Sequence, residues 1–340
     1  MSKNKPSRKF AQNKKYGGPP KKELQKRDAE FIEASIVKAN DRFELEELPI
    51  GIPKNLDHIS HHSFAWKNSP VSIEVEAQVA SLVMKKGEFG WLSESRVNEI
   101  GQSISGMNIS IDQSLSLRNA LLQQKTVYGH YKMQSRSKAM YKLYKEGMTI
   151  IQLSKRFDFP PMNIFREILK EKGWSKNKIK ESLRNPSQFS QRERNEFTEA
   201  EAADRVSNVD QSETQIRADK FEDIISDWFE SRGVNLRRQE EMVAEQMAEH
   251  GRPVNTPDVL FLDHVKINDQ PIAWIDAKHF YGADVNFQRK KMKKQTLRYV
   301  ETWGQGAIIF RHGFSENLHL PGVILLDQGP LNLDSLHQNG

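Results

Sequence analysis

In the last third of the chain, apolar positions recur with two different periods. Phe221, Ile224, Ile225, Trp228 and Phe229 fall at i, i+3, i+4, i+7 and i+8, an amphipathic helix that Gly233 can terminate. Short apolar runs follow: one opened by Thr256-Pro257-Asp258, one closed by Trp274-Ile275-Asp276-Ala277-Lys278, then Ala307–Phe310 and Val323–Leu326. Runs of that length read as buried strands. A basic helix from about Phe287 to Trp303 separates them, with Gln295 and Tyr299 on one face at i, i+4. The expected order is helix, strand, strand, strand, helix, strand, strand.

Upstream the pattern is helical. Met140, Leu143 and Tyr144 make one stripe, Gly147 and Thr149 break and cap it, and Ile150, Leu153 and Phe157 make the next. Asp158-Phe159-Pro160-Pro161 turns the chain into a third stripe of Ile164, Phe165, Ile168 and Leu169. This is a helix-turn-helix pattern; bound to DNA, its third helix would present Asn163, Arg166 and Lys170. The competing reading is a docking or purely structural bundle. A fainter unit lies between Glu74 and Gln124, with helices near Val97–Ile104 and Asp112–Gln123. A charged helix is expected from Ala29 to Ile50. The Pro- and His-rich stretch from Pro49 to Pro70 reads as an exposed loop, because His58, His61 and His62 have no second ligand pair at zinc-like spacing. The predicted organisation is a disordered basic tail (1–28), a helical region with tandem helix-turn-helix-like units (29–184), a polar linker (185–215) and an α/β core (216–330), so the fold class is α+β.

Composition narrows the chemistry. The 340 residues carry 51 Lys plus Arg against 45 Asp plus Glu, a net charge of +6 that suits a nucleic-acid partner, DNA or RNA. The absence of cysteine excludes disulfides, thiolate catalysis and cysteine-ligated zinc. No apolar run is long enough to span a membrane, and no secretory h-region opens the chain, so an intracellular soluble protein is expected. Lysines at 3, 5, 9, 14, 15, 21, 22 and 26 read either as a nuclear-localisation or nucleic-acid tether or as a solubilising tail; nucleus and cytoplasm are both expected locations.

Asp276 and Lys278 stand at i and i+2 on a strand and therefore share a face. Asp258 follows a proline, as suits the start of a strand. Paired side by side, the two strands would bring both aspartates to one end of the sheet, where two hard oxygen ligands could hold one Mg²⁺, or Mn²⁺ in its place. Such a cation stabilises negative charge on a phosphoryl group and acidifies a water. Lys278 would then orient the nucleophile or neutralise phosphate charge, and the second role is preferred. Gln295 and Tyr299 would touch the phosphate or buttress Lys278.

These residues resemble the PD-(D/E)xK nuclease superfamily, and the stretch from Thr256 to Leu326 resembles one branch in particular. Its marks are W-I-D-A-K, Gly282, and the G-x-x-I-x-x-x-G-F run from Gly306 to Phe314. That branch is the codanin-interacting nuclease family, also named for its T-P-D motif. The resemblance implies a restriction-endonuclease-like core, a metal-dependent phosphodiester hydrolase of unspecified substrate, and a codanin-type partner. It further implies catalytic roles for Asp258, Asp276 and Lys278, with Glu222 as a third acidic ligand; Asp219 and Asp223 compete for that role. The chain departs in having Asp276 where related chains often carry glutamate, and in its basic N-terminal extension. The alternative to an enzyme is an adaptor that binds codanin or chromatin partners through its helical region.

Overall fold

The computed structural model describes residues 21–206 and 212–337. The chain begins with α1 (Lys21–Asp41) and a short strand β1 (His61–Phe64), then runs through α2 (Ile73–Val83), α3 (Glu94–Ser103) and α4 (Ile111–Gln134). A tighter bundle follows: α5 (Ser137–Lys145), α6 (Ile150–Phe157), α7 (Pro161–Glu171), α8 (Lys176–Arg184), a 3₁₀ turn (Pro186–Gln188) and α9 (Gln191–Ala202). The sheet portion comprises α10 (Ser212–Glu230), β2 (Leu236–Arg238), α11 (Gln239–His250), β3 (Val259–Ile267), β4 (Gln270–Lys278), α12 (Asn286–Trp303), β5 (Gly306–Phe310), β6 (Val323–Asp327) and α13 (Asp334–His337). The architecture is α+β, with a helical N-terminal region and one six-stranded mixed sheet.

β3 and β4 form an antiparallel hairpin turned by Asn268 and Asp269, both at positive φ as such tight turns require. β5 pairs parallel with β4, and β6 with β5. On the outer edge of β3, β2 runs antiparallel along Val259–Phe261 and β1 parallel along His264–Ile267. The register of β3 shifts between Leu260 and Val265. Asp263, in that irregular stretch, is fully buried and accepts from Ser60 N (2.7 Å) and Asn235 N (2.7 Å). The buried Arg42 guanidinium donates to the carbonyls of Phe261 and Asp263. Backbone groups that the bulge removes from the ladder are thereby partnered.

Helices cover both faces of the sheet. Phe221, Ile225 and Phe229 of α10 pack on Val259, Phe261, Ile275 and Ile309. On the opposite face Tyr299, Val300 and Trp303 of α12 and Ala39 of α1 enclose Leu260 and Trp274. Gly306 allows this closeness: a Cβ there would stand 2.2 Å from the Trp274 indole. The helical region shares a core with the sheet portion, because Leu117 and Ala120 of α4 pack with Tyr281, Ala283 and Val285, and Ser116 Oγ accepts from Tyr281 N (2.8 Å).

Several elements differ from the sequence expectation. The part of the lysine-rich tail before Lys21 lies outside the described residues, but Lys21–Asp28 are helical rather than disordered; good helix formers extend α1 backwards and it ends at Asp41, not Ile50. His61–Phe64, expected in an exposed loop, forms β1 because an open edge of β3 supplies its ladder. The polar stretch 185–215 contains α9, started by a Ser190/Glu193 capping box and anchored by Phe197 and Ala200 in the bundle core. α11, between β2 and β3, was not foreseen at all.

Candidate active site

The hairpin register sets Val259 opposite Ile275, so Asp258 and Asp276 lie side by side at the same end of the sheet. Alternation then points Asp276 and Lys278 toward α12, while Ile275 and Ala277 enter the core under α10. Asp276 is fully buried and Asp258 is 7% exposed. Asp258 reaches across the ladder: its Oδ2 accepts from Ala277 N (2.6 Å) and its Oδ1 from Gln239 Nε2 (2.9 Å). Asp276 Oδ1 accepts from Gln295 Nε2 (2.9 Å). Among the described residues, Asp276 Oδ2 is met by the Lys278 ammonium alone, as an ion pair.

Of the three acids on α10 considered from sequence, Asp223 pairs with Arg238 (3.2 Å) and Asp219 accepts from Gln215 (2.7 Å). Glu222 is the one half-buried toward the aspartates. Burial, then Asp219, push its carboxyl up to about 7; Asp276 and Asp223 add to this and Lys278 opposes it. Burial and the Asp276 charge likewise raise Asp258 well above the ordinary carboxylate range, with Lys278 opposing and Glu222 adding. Burial alone would lower the Lys278 ammonium, but Asp276 and Asp258 together outweigh it and hold its pKa above the usual value. Asp258, Asp276 and Glu222 are therefore linked electrostatically with one another and with Lys278.

Gln295 and Tyr299 are in the site, where their hydrogen bonds reach Asp276 and the chain before Asp258, and Tyr299 also favours the Lys278 ammonium. Gln295 holds Asp276, and the Tyr299 hydroxyl donates to the Thr256 carbonyl (3.1 Å), which fixes the approach to Asp258. Burial, then Asp276, raise the Tyr299 phenol to about 12, so it is a neutral donor at any ordinary pH. Gln239 was missed from sequence. It opens α11, donates from its backbone N to the Asp258 carbonyl (3.1 Å) and clamps the Asp258 side chain. The run of helix formers from Gln239 to His250 before Gly251 was the available signal.

Whether this donor set suits a hard divalent cation can be judged from the residues themselves. Asp258 and Asp276 offer oxygen ligands, and among the described residues one oxygen of Asp276 is met only by an ammonium, the charge a cation would replace. Among the described residues no three His, Asp or Glu side chains close around one point, so waters and substrate oxygens would complete the shell, as Mg²⁺ commonly requires. The residues fit on those terms.

Lys278 and Gln295 line one wall of a cleft of about 540 Å³ that runs between the sheet end, α12 and α4. In the helical bundle, the residues read as a DNA-reading face are placed differently. α7 is packed on several sides by α5, α6, α8 and α9, with Met162, Ile164, Phe165, Ile168 and Leu169 all buried. Asn163 and Arg166 are half-buried, Arg166 being influenced by Asp204 beside it, and Lys170 alone of the three is exposed. A helix so enclosed has little surface to lay in a groove.

Residues 189–329 match the family described as "Protein of unknown function TPD sequence-motif". An uncharacterized protein of Acanthamoeba polyphaga mimivirus is 27% identical over 115 residues, which are 33% of this chain and 40% of the viral protein. The match thus spans less than half of that relative's own length. No solved structure matches the chain. Among the described residues no helix is long and apolar enough to cross a membrane.

Proposed function

We propose that this protein is a Mg²⁺-dependent nuclease, with a core of the PD-(D/E)xK type, that hydrolyses phosphodiester bonds in DNA or RNA. A codanin-type partner belongs to the same proposal, on the resemblance of Thr256–Leu326 to the codanin-interacting family. The observation that carries the reading is the electrostatic coupling of Asp258, Asp276 and Glu222 with Lys278, which itself lines a basic cleft. Buried like charges are costly unless a cation neutralises them, and such clusters gather at functional sites.

Asp258 and Asp276 would hold Mg²⁺, and Glu222 a water bound to it; the ion would stabilise charge on the phosphoryl oxygens and acidify a water. Asp276 and Asp258 favour the protonated form of Lys278, which would serve as a positive charge beside the phosphate. Gln295 keeps Asp276 in one rotamer, and Gln239 with the Ala277 N–H does the same for Asp258, leaving little reorganisation for the reaction itself.

Cleavage of labelled DNA and RNA structures with Mg²⁺ or Mn²⁺, against Asp276→Ala and Lys278→Ala prepared identically, tests the reading. Each substitution is expected to lower the rate about a thousandfold, the equivalent of several kcal/mol of transition-state stabilisation. Equal rates for the wild type and both variants would defeat the proposal.

A further inference from the structure

The cleft beside Lys278 has a second wall that the catalytic residues do not explain. Trp91, on the loop between α2 and α3, is 74% exposed, the most open of the tryptophans among the described residues. A single exposed indole is ordinary on a protein surface, but this one lines the cleft that Lys278 also lines. The support here is rigid. The buried Arg118 guanidinium donates to the carbonyls of Glu88 (3.0 Å) and Gly90 (3.4 Å), and Arg205 N donates to the Phe89 carbonyl (2.9 Å). The Arg205 guanidinium lies over the Trp91 ring, 3.9 Å from its centroid. One face of the indole is thus covered by a cation, and the residue's exposure leaves the other to solvent.

Charge along the cleft has one dominant sign. Arg205, Arg217, Lys278 and Lys291 line it against one carboxylate, Asp112. His279 and His312 also line it, and burial first, then Arg311 nearby, lowers both imidazoles, so they stay neutral in this positive field. The Gln288 amide oxygen is buried in the same wall and has no partner among the described residues, an acceptor waiting for a donor. Cations that track phosphates, an open aromatic face and a buried acceptor are together the parts of a site for bases taken out of a helix. Stacking on an aromatic side chain needs an unpaired, splayed base, whereas a duplex keeps its base faces covered. A cleft of about 540 Å³ is also the size that encloses a drug-sized ligand, a nucleotide or two rather than a double helix.

We propose that this cleft binds an unpaired nucleic-acid strand, with a base stacked on Trp91 and the adjoining phosphates led along Arg205, Lys291 and Lys278 to the carboxylates. The inference rests on the nuclease reading for its direction, since it names the substrate class of that site, and it is tested separately from cleavage. Binding is measured in EDTA, by fluorescence anisotropy, with a labelled mixed-sequence single strand of DNA, the same sequence in RNA, and the DNA duplex of that sequence. The single strands are expected to bind at least about tenfold tighter than the duplex; Trp91→Ala should weaken them about tenfold, and Trp91→Phe by less than about threefold. The two single-strand arms show whether the strand is DNA or RNA. Because Trp91 is exposed, its substitution should leave the melting temperature unchanged. Duplex binding as tight as single-strand binding, or affinity indifferent to Trp91→Ala, would overturn the inference. Trp91-dependent strand binding by a protein that cleaves nothing would uphold it and remove the nuclease reading, and cleavage with Trp91-independent binding would do the reverse.

Discussion

Lys172 and Lys278 each meet a buried carboxylate, yet they stand in opposite electrostatic settings. In the helical bundle, Lys172 reaches Glu193 Oε1 (2.6 Å), whose other oxygen already accepts from the Ser190 hydroxyl (2.7 Å) and backbone N (3.0 Å). Burial alone would raise the Glu193 carboxyl, but Lys172 and Ser190 together bring it below its usual value. Glu196 accepts from Ile150 N (2.7 Å), although burial still raises its carboxyl against that bond and Arg192, and Asp204 accepts from Met162 N (2.9 Å), so each of these buried acids also secures the start of a helix. At the sheet end, three acids share one lysine, and two of them are pushed up rather than down. Bundle charges complete the structure, whereas site charges leave it short of positive charge. A structural role explains the first arrangement and not the second.

Removing each lysine separates the two settings. In EDTA, Lys278→Ala strips the paired cation from a buried acidic cluster and should cost about 3 kcal/mol of stability. Lys172→Ala removes a half-exposed partner from an acid that keeps its Ser190 bonds, and should cost about 0.5 kcal/mol. Denaturant melts of both variants check the contrast, and similar losses would erase it.

A pH-dependent effect also belongs to the cleft. Burial first, then Arg311 and His279, lower His312 from 6.5 to about 3. Between those values the unfolded chain binds the proton and the folded one does not, so stability should fall as pH drops below about 6.5. The slope is at most about 1.4 kcal/mol per pH unit. His312→Phe should flatten that part of the profile. An unchanged slope would assign the acid sensitivity to other groups.

The sequence made the site more legible than its surroundings, for physical reasons. Asp258, Asp276 and Lys278 could be aligned because strand alternation is strict and both runs are apolar enough to be buried strands. Glu222 could be placed on a helix by its stripe, though only packing separates it from Asp219 and Asp223. β1 was hidden because His61–Phe64 is a strand by virtue of its partner, β3, some two hundred residues away, and little in four residues announces it. α9 was missed although Ser190 and Glu193 stand at capping-box spacing, because its polar composition resembled a linker and only Phe197 and Ala200 reach the core. In the helix-turn-helix pattern, the three helices are present, but nothing local in α7 foretells that α8 and α9 cover it.

The measurement closest to the central claim is the melting temperature of the wild type and Asp258→Asn, each in EDTA and in saturating Mg²⁺. If the site is a buried excess of negative charge made for a cation, Asp258→Asn should melt at or above the wild type in EDTA, and Mg²⁺ should raise the wild type alone. A variant that melts well below the wild type in EDTA, with Mg²⁺ moving neither protein, would mean that Asp258 is a structural acid like those of the bundle.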